Sequence, residues 1–234
     1  MYRTEVETRL TVDPPPAGGR QPFQTPNPMS RAGLRVKRLI DLVGASILLI
    51  LFLPLYFWVA LGVKLSSPGP IFYSQRRIGI GGREIFVYKF RSMRVDADAV
   101  LSSFLDSDAD AQKEWDQYHK LRCDPRITKF GSFIRKTSLD ELPQFWNVIR
   151  GDMSLVGPRP VTAAEQVRYG DCWIHYCSVR PGISGLWQVS GRNRLSYYNR
   201  VALDAKYVSQ WSIWLDFKIL VKTVGAVIAR DGSH

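Results

Sequence analysis

Between Asp124 and Pro160 the sequence reads DPRITKFGSFIRKTSLDELPQFWNVIRGDMSLVGPRP, and it gathers Arg126, Lys129, Arg135, Lys136, Arg150 and Arg159 around Asp140, Glu141 and Asp152. Cations in that density beside a few carboxylates suit phosphate and a divalent metal together. An aspartate, with an unperturbed pKa of about 3.9, is ionised at neutral pH and can attack phosphorus. Such an attack needs something to neutralise the repulsion between the carboxylate and the phosphate oxygens. Arg135, Arg159 and a metal held by Glu141 are the candidates for that task.

Ser138-Leu139-Asp140-Glu141 also spells a capping box, in which Ser accepts a backbone N–H and the acid three residues on reaches back. That reading needs no catalysis, and both stand at this point. Pro143, five residues past Ser138, lacks an N–H where the first intrahelical bonds should form, so the helix is expected to begin slightly later. Either way the two acids fall in or just before a first turn, where a helix dipole favours negative charge. Gly157-Pro158-Arg159-Pro160 fixes the backbone around one guanidinium, which pre-organises an anion contact, although an ordinary turn with a solvated Arg spells the same residues. Arg180-Pro181-Gly182 and Gly191-Arg192-Asn193 repeat arginine with turn formers, and could hold a nucleotide diphosphate.

The histidines, His119, His175 and His234, show no metal-ligand spacing, and the three cysteines, Cys123, Cys172 and Cys177, form no C-x-x-C pair. A histidine-built metal site and a disulfide framework are therefore not expected. The formal charge of +11 points to a polyanionic partner: nucleic acid, an anionic membrane surface or a phosphorylated substrate.

The elements that must carry these residues divide the 234-residue chain into three parts. Residues 1–33 hold six of the fourteen prolines and no apolar period, which reads as a disordered tail. Residues 34–64 contain a run from Leu42 to Val63, 22 positions, with no charged side chain. As one helix it would reach roughly 33 Å, comparable with a hydrocarbon core of about 30 Å. Yet basic residues flank both ends, and Leu53-Pro54 sits near the middle, where a proline kinks a helix. A helix that enters, bends at Pro54 and returns to the same face fits both observations; a straight anchor that tolerates Pro54 is the alternative.

Residues 65–234 read as one compact domain. Ile71-Phe72-Tyr73 and Ile85 to Phe90, separated by Gly79, Gly81 and Gly82, predict a hairpin, and the glycines a turn in place of a phosphate loop. Residues 95–121 are helix-prone, with Val100, Leu101, Phe104 and Leu105 as an expected buried stripe. Tyr207, Trp211, Trp214 and Phe217 beside Lys218 and Lys222 suit either a membrane interface or a packed core.

KRLIDLVGAS leading into the apolar run, YKFRSM (Tyr88 to Met93), the 124–160 run and RPGISGLWQVSGRN (Arg180 to Asn193) resemble the bacterial sugar transferase family, small monotopic enzymes acting on polyprenol phosphate. The resemblance covers Arg35 to the C-terminus. It implies an α+β fold: a monotopic membrane protein with a re-entrant N-terminal helix, amphipathic interfacial helices and a small cytoplasmic catalytic domain at the bacterial inner membrane. Asp140 would attack the β-phosphate of a UDP-hexose, releasing UMP, and undecaprenyl phosphate would then take the phosphosugar. Glu141 would bind Mg²⁺, Arg135 and Arg159 would contact phosphate, and Arg192 would lie in the nucleotide-binding region. The family breaks its membrane helix at Ser-Pro where this chain has Leu53-Pro54. The ending looks most like members that start exopolysaccharide synthesis with glucose or galactose 1-phosphate. Membrane lipid is an expected partner, a homodimer is compatible, and nucleic acid is not expected, because no nucleic-acid-binding signature is present. A membrane-tethered basic protein without catalysis, and a nucleotide-sugar hydrolase using the same dyad with water, are the rival readings.

Overall fold

The computed structural model describes residues 30–118, 121–191 and 195–228. Helix α1 (Arg31–Leu51) starts where Ser30 Oγ accepts the Gly33 N–H at 3.0 Å, three residues inside the stretch read as tail. Helix α2 (Leu53–Ser66) follows at once, with Pro54 in its first turn, where a missing N–H leaves no bond unmade. The two axes diverge by 62°. Among the described residues no single helix is long and apolar enough to cross a membrane, whereas this bent pair passes the same test together. The straight anchor is thereby excluded as the geometry of residues 34–64, and the kink expected at Pro54 is present.

Strand β1 (Phe72–Ile78) pairs antiparallel with β2 (Glu84–Phe90), Phe72 opposite Phe90 and Ile78 opposite Glu84. The turn between them uses Gly81 and Gly82 at φ +69° and +76°, a region that side-chain-bearing residues rarely adopt. The expected hairpin and turn are both there. Helices α3 (Ala97–Ser107) and α4 (Ala109–Tyr118) come next. Val100, Leu101, Phe104 and Leu105 do line one side of α3, but they are half-buried, not buried as the stripe predicted. Helix α5 (Lys129–Lys136) is capped by Thr128 Oγ1, which accepts the Gly131 N–H at 2.8 Å. Helix α6 (Gln144–Arg150) ends at Gly151, φ +92°.

Strand β3 (Ser154–Val156) pairs in parallel with β4 (Gly182–Ser184), and the short helix α7 (Trp173–Cys177) lies between them in sequence. Helices α8 (Tyr197–Ser209) and α9 (Ile213–Ile228) close the described chain. Helices and two small sheets together make the architecture α+β.

The main core joins Ala45 of α1 to Val148, Met153, Val156, Tyr207 and Ile219. Polar anchors fix α1 on it. Lys37 Nζ pairs with Asp216 Oδ2 at 2.6 Å, and Asp41 Oδ1 accepts from Ser154 Oγ and the Leu155 N–H, both at 3.0 Å. Arg38 donates to the carbonyls of Val148 and Ile149 at 2.6 and 2.8 Å, satisfying acceptors at the C-terminal end of α6. The aromatic cluster near the C-terminus divides into a packed part and an exposed part. Tyr207 is buried and donates to Asp216 at 2.7 Å, and Trp211 Nε1 donates to the same carboxylate at 3.1 Å. Trp214 and Phe217 instead stack on each other on the outside, 63% and 53% exposed.

Candidate active site

The dyad sits on a 3-10 turn, Leu139–Glu141, between α5 and α6. Ser138 enters that turn at φ +57°, the one positive φ at a non-glycine among the described residues. Its side chain makes no capping bond, so the capping box does not form. The physical reason is Pro143: α6 begins only at Gln144, too late for Ser138 to cap it. What holds the turn is backbone bonding, Ser138 N–H to Arg135 O at 3.1 Å and Glu141 N–H to Ser138 O at 3.2 Å. A serine kept in the left-handed region costs roughly 1–2 kcal/mol, strain of the kind found where a site requires one geometry.

Asp140 is buried. Lys89, from β2, reaches both acids, 2.7 Å from Glu141 Oε1 and 3.7 Å from Asp140 Oδ2. Burial pushes the Asp140 carboxyl up to about 6, against the opposing pull of Lys89; the Glu141 charge pushes the same way as burial, and Arg135 opposes. At Glu141 burial also acts upward, but Lys89, Arg159 and Gln144 together outweigh it and hold the carboxyl below its usual range. Two neighbouring acids with pKa values driven apart are an arrangement for divided roles.

Arg135 is set by α5, its Nε donating to Ser92 Oγ at 2.8 Å. Helix α5 can come that close to Ser92 because residue 131 is glycine: a Cβ there would lie 1.9 Å from the Ser92 carbonyl oxygen. Arg159 and Glu141 line one cleft with Arg77, Lys89, Gln144 and Gln188. Among the described residues Arg159 makes no ion pair. From α2, the Tyr56 hydroxyl donates to the Leu142 carbonyl, tying the apolar helices to the turn that carries the dyad.

Not every charged residue of the 124–160 run belongs here. Arg126 is engaged with Asp124 at 2.7 Å and lies over the Trp115 ring at 4.9 Å, and Asp152 pairs with Arg150 at 3.3 Å. Arg180, expected beside a nucleotide diphosphate, donates from Nε to the Gly151 carbonyl at 2.9 Å. Arg192 falls outside the described residues. Lys89 and Arg77 were not singled out from the sequence. The available signal for Lys89 was its place as the one charge in the β-prone run Ile85 to Phe90.

Fold and site together define a small α+β protein with a cleft lined by Arg77, Lys89, Arg159 and Glu141, and with the buried Asp140 next to Glu141 in sequence. Residues 32–230 match the sequence model of the bacterial sugar transferase family, and the chain belongs to that family. It is 51% identical to the UDP-galactose-lipid carrier transferase of Erwinia amylovora, over 85% of this chain and 42% of that protein. It is 46% identical to the exopolysaccharide production protein ExoY of Rhizobium meliloti, over 86% of this chain and 89% of that one. With the UDP-glucose:undecaprenyl-phosphate glucose-1-phosphate transferase of Xanthomonas campestris it shares 43% identity, over 85% of this chain and 40% of that protein. The chain thus spans less than half the length of the galactose and glucose relatives.

Proposed function

We propose that this protein transfers a hexose 1-phosphate from a UDP-sugar to undecaprenyl phosphate through a phospho-aspartyl intermediate on Asp140, starting exopolysaccharide synthesis. The observation that carries the reading is the buried Asp140 carboxylate, 3.7 Å from Lys89 and within the electrostatic reach of Arg135, with Glu141 and Arg159, which makes no ion pair among the described residues, on the adjoining cleft. The galactose and glucose transferases among the relatives suggest the substrate classes, glucose or galactose as the sugar and undecaprenyl phosphate as the acceptor.

In the first half-step a carboxylate oxygen of Asp140 forms a bond to the β-phosphorus, the bond from that phosphorus to the bridging oxygen breaks, and its electron pair leaves with UMP. In the second, a phosphate oxygen of the lipid attacks the same phosphorus, and the carboxylate leaves unchanged. Lys89 and Arg135 offset the repulsion between the incoming carboxylate and the phosphate oxygens, at a site where burial strengthens each charge. Burial of Asp140 excludes water from the acyl phosphate, which favours transfer over hydrolysis.

Among the described residues no three His, Cys, Asp or Glu side chains gather as a metal cage. Mg²⁺ commonly needs only one or two carboxylates plus substrate phosphates, and in that mode Glu141, kept ionised, fits as its protein ligand. When bound there, Mg²⁺ would neutralise charge on the diphosphate.

The exposed apolar sides of α1, α2 and α9 support a monotopic attachment to membrane lipid, and the basic residues on both flanks of the apolar run favour the cytoplasmic face of the bacterial inner membrane for the site. The test is incubation with radiolabelled UDP-hexose, Mg²⁺ and undecaprenyl phosphate. Wild type should yield UMP and a lipid-linked diphosphosugar, and Asp140→Asn neither. Free hexose phosphate in place of the lipid product would establish a hydrolase, and full activity in Asp140→Asn would overturn the nucleophile.

A further inference from the structure

In the antiparallel register of the hairpin Tyr73 lies opposite Lys89, Gln75 opposite Val87 and Arg77 opposite Ile85. Side chains alternate along a strand, so Gln75, Arg77, Val87 and Lys89 share one face. That face lines the cleft. Lys89 marks the end nearest the dyad. Arg77 stands four positions along β1 from the residue opposite Lys89, roughly 13 Å by the strand rise of about 3.3 Å per residue. Two long cationic side chains thus enter one cleft from separate points, with Arg159 lining it as well.

Arg77 is held in place. Its Nη1 lies 3.3 Å from Glu165 Oε2, its Nη2 donates to Gln75 Oε1 at 2.6 Å, and Glu165 is itself fixed by the Thr162 N–H and hydroxyl at 2.8 and 2.9 Å. Its guanidinium has a lowered pKa, first through burial and then through the like charge of Arg159. Two guanidiniums that feel each other's charge repel, and an anion between them offsets that repulsion. Arg200 also feels Arg159 but is committed elsewhere, its guanidinium over the Trp187 ring at 4.8 Å and its Nε donating to the Leu195 carbonyl.

We propose that Arg77 and Arg159 form a two-guanidinium clamp for the phosphate of the departing nucleoside monophosphate, with Arg77 as its far, specificity-giving arm. The assignment rests on the phosphotransfer reading above and adds to it where the leaving group sits. Attack at the dyad end expels the electron pair toward the other end of the diphosphate. The extra negative charge then appears on the nucleotide phosphate, which is where a second pair of cations stabilises it most.

The test is titration calorimetry of UMP and of uridine on the full chain in detergent with Mg²⁺, for wild type, Arg77→Met, Arg77→Lys and Glu165→Gln. Loss of a charge-assisted contact predicts that Arg77→Met weakens UMP by about tenfold or more and leaves uridine within about twofold. Arg77→Lys, which keeps the charge without the fork, should fall between the two and guards against a Met variant that does not fold. Glu165→Gln removes the ion pair but keeps the guanidinium, and UMP binding should stay within about twofold of wild type. Unchanged UMP binding in Arg77→Met, equal losses for UMP and uridine, or a Glu165→Gln variant as weak as Arg77→Met would each overturn the clamp. The lipid-product assay separates the two readings. Lipid-linked product without Arg77-dependent UMP binding sinks the clamp alone, and Arg77-dependent UMP binding without lipid-linked product sinks the transferase reading alone.

Discussion

An aspartate that attacks phosphorus must be ionised, and burial moves the Asp140 carboxyl up to about 6. The rate of the first half-step is therefore expected to fall about tenfold per pH unit below that value, measured as UMP release from UDP-hexose. Lys89→Met removes the cation nearest both acids, and should shift this acidic limb upward by about one unit. A limb that stays in place would show that Lys89 does not govern the Asp140 charge. The same shift has a sign for stability. Between the usual carboxylate range near 3.8 and about 6 the folded protein binds the Asp140 proton more tightly than the unfolded chain does. Stability from this group is thus greatest at low pH and declines as pH rises through about 6. Asp140→Asn should accordingly unfold at an equal or higher temperature than wild type at pH 7.5 while losing transfer, by scanning calorimetry. The dyad and Arg159 were legible as residues because acids among arginines are conspicuous. Lys89 was not, since a lone lysine in a strand reads as a solvated face, and only the pairing of β2 against the dyad's turn reveals its use.

At the scale of elements, the site depends on how closely α5 approaches Ser92, just past the end of β2. Gly131 permits it, and Gly131→Ala would drive a methyl group into the Ser92 carbonyl. Helix α5 must then retreat, taking Arg135 from Ser92 Oγ and disturbing the turn that follows. The expected outcome is a loss of about 1–3 kcal/mol in chemical denaturation and a drop in transfer activity. A variant with wild-type stability and activity would show that α5 is not set by this contact. Sequence patterns gave the hairpin, the break at Pro54 and a helix delayed past Pro143. They missed the left-handed Ser138, because Ser-x-x-Glu spells a cap equally well and only the proline two residues past Glu141 decides against it. The stripe on α3 had the correct spacing but no element packed fully over it. The aromatics near the C-terminus could not be sorted before it was known which side of α9 meets the core.

For the whole molecule, the two ends of the bent helix pair are tied to one folded body. Near the start of α1, Lys37 and Arg38 bond to Asp216 and to the carbonyls of Val148 and Ile149. Past the end of α2, Arg91 donates to the carbonyls of Ser67 and Pro68, both at 2.7 Å, and Val63 packs on Ile134. Between these ties the outer faces carry Ile47, Leu51, Phe57 and Trp58, from 58% to 65% exposed. Each arm beyond the core measures roughly 10–15 Å at about 1.5 Å per residue, half or less of a hydrocarbon core of about 30 Å. On this geometry, a pair anchored at both ends to one body with arms that short, we propose that the helices enter one leaflet and return. Placed singly at Ser30 and at Ser74 in a chain whose exposed Cys123 has been replaced by Ser, a cysteine should react with a membrane-impermeant maleimide in inverted inner-membrane vesicles and stay unlabelled in intact spheroplasts. Labelling of the two positions from opposite sides would establish a spanning helix, and would require the ties of Lys37 and Arg91 to the domain to be broken in the membrane.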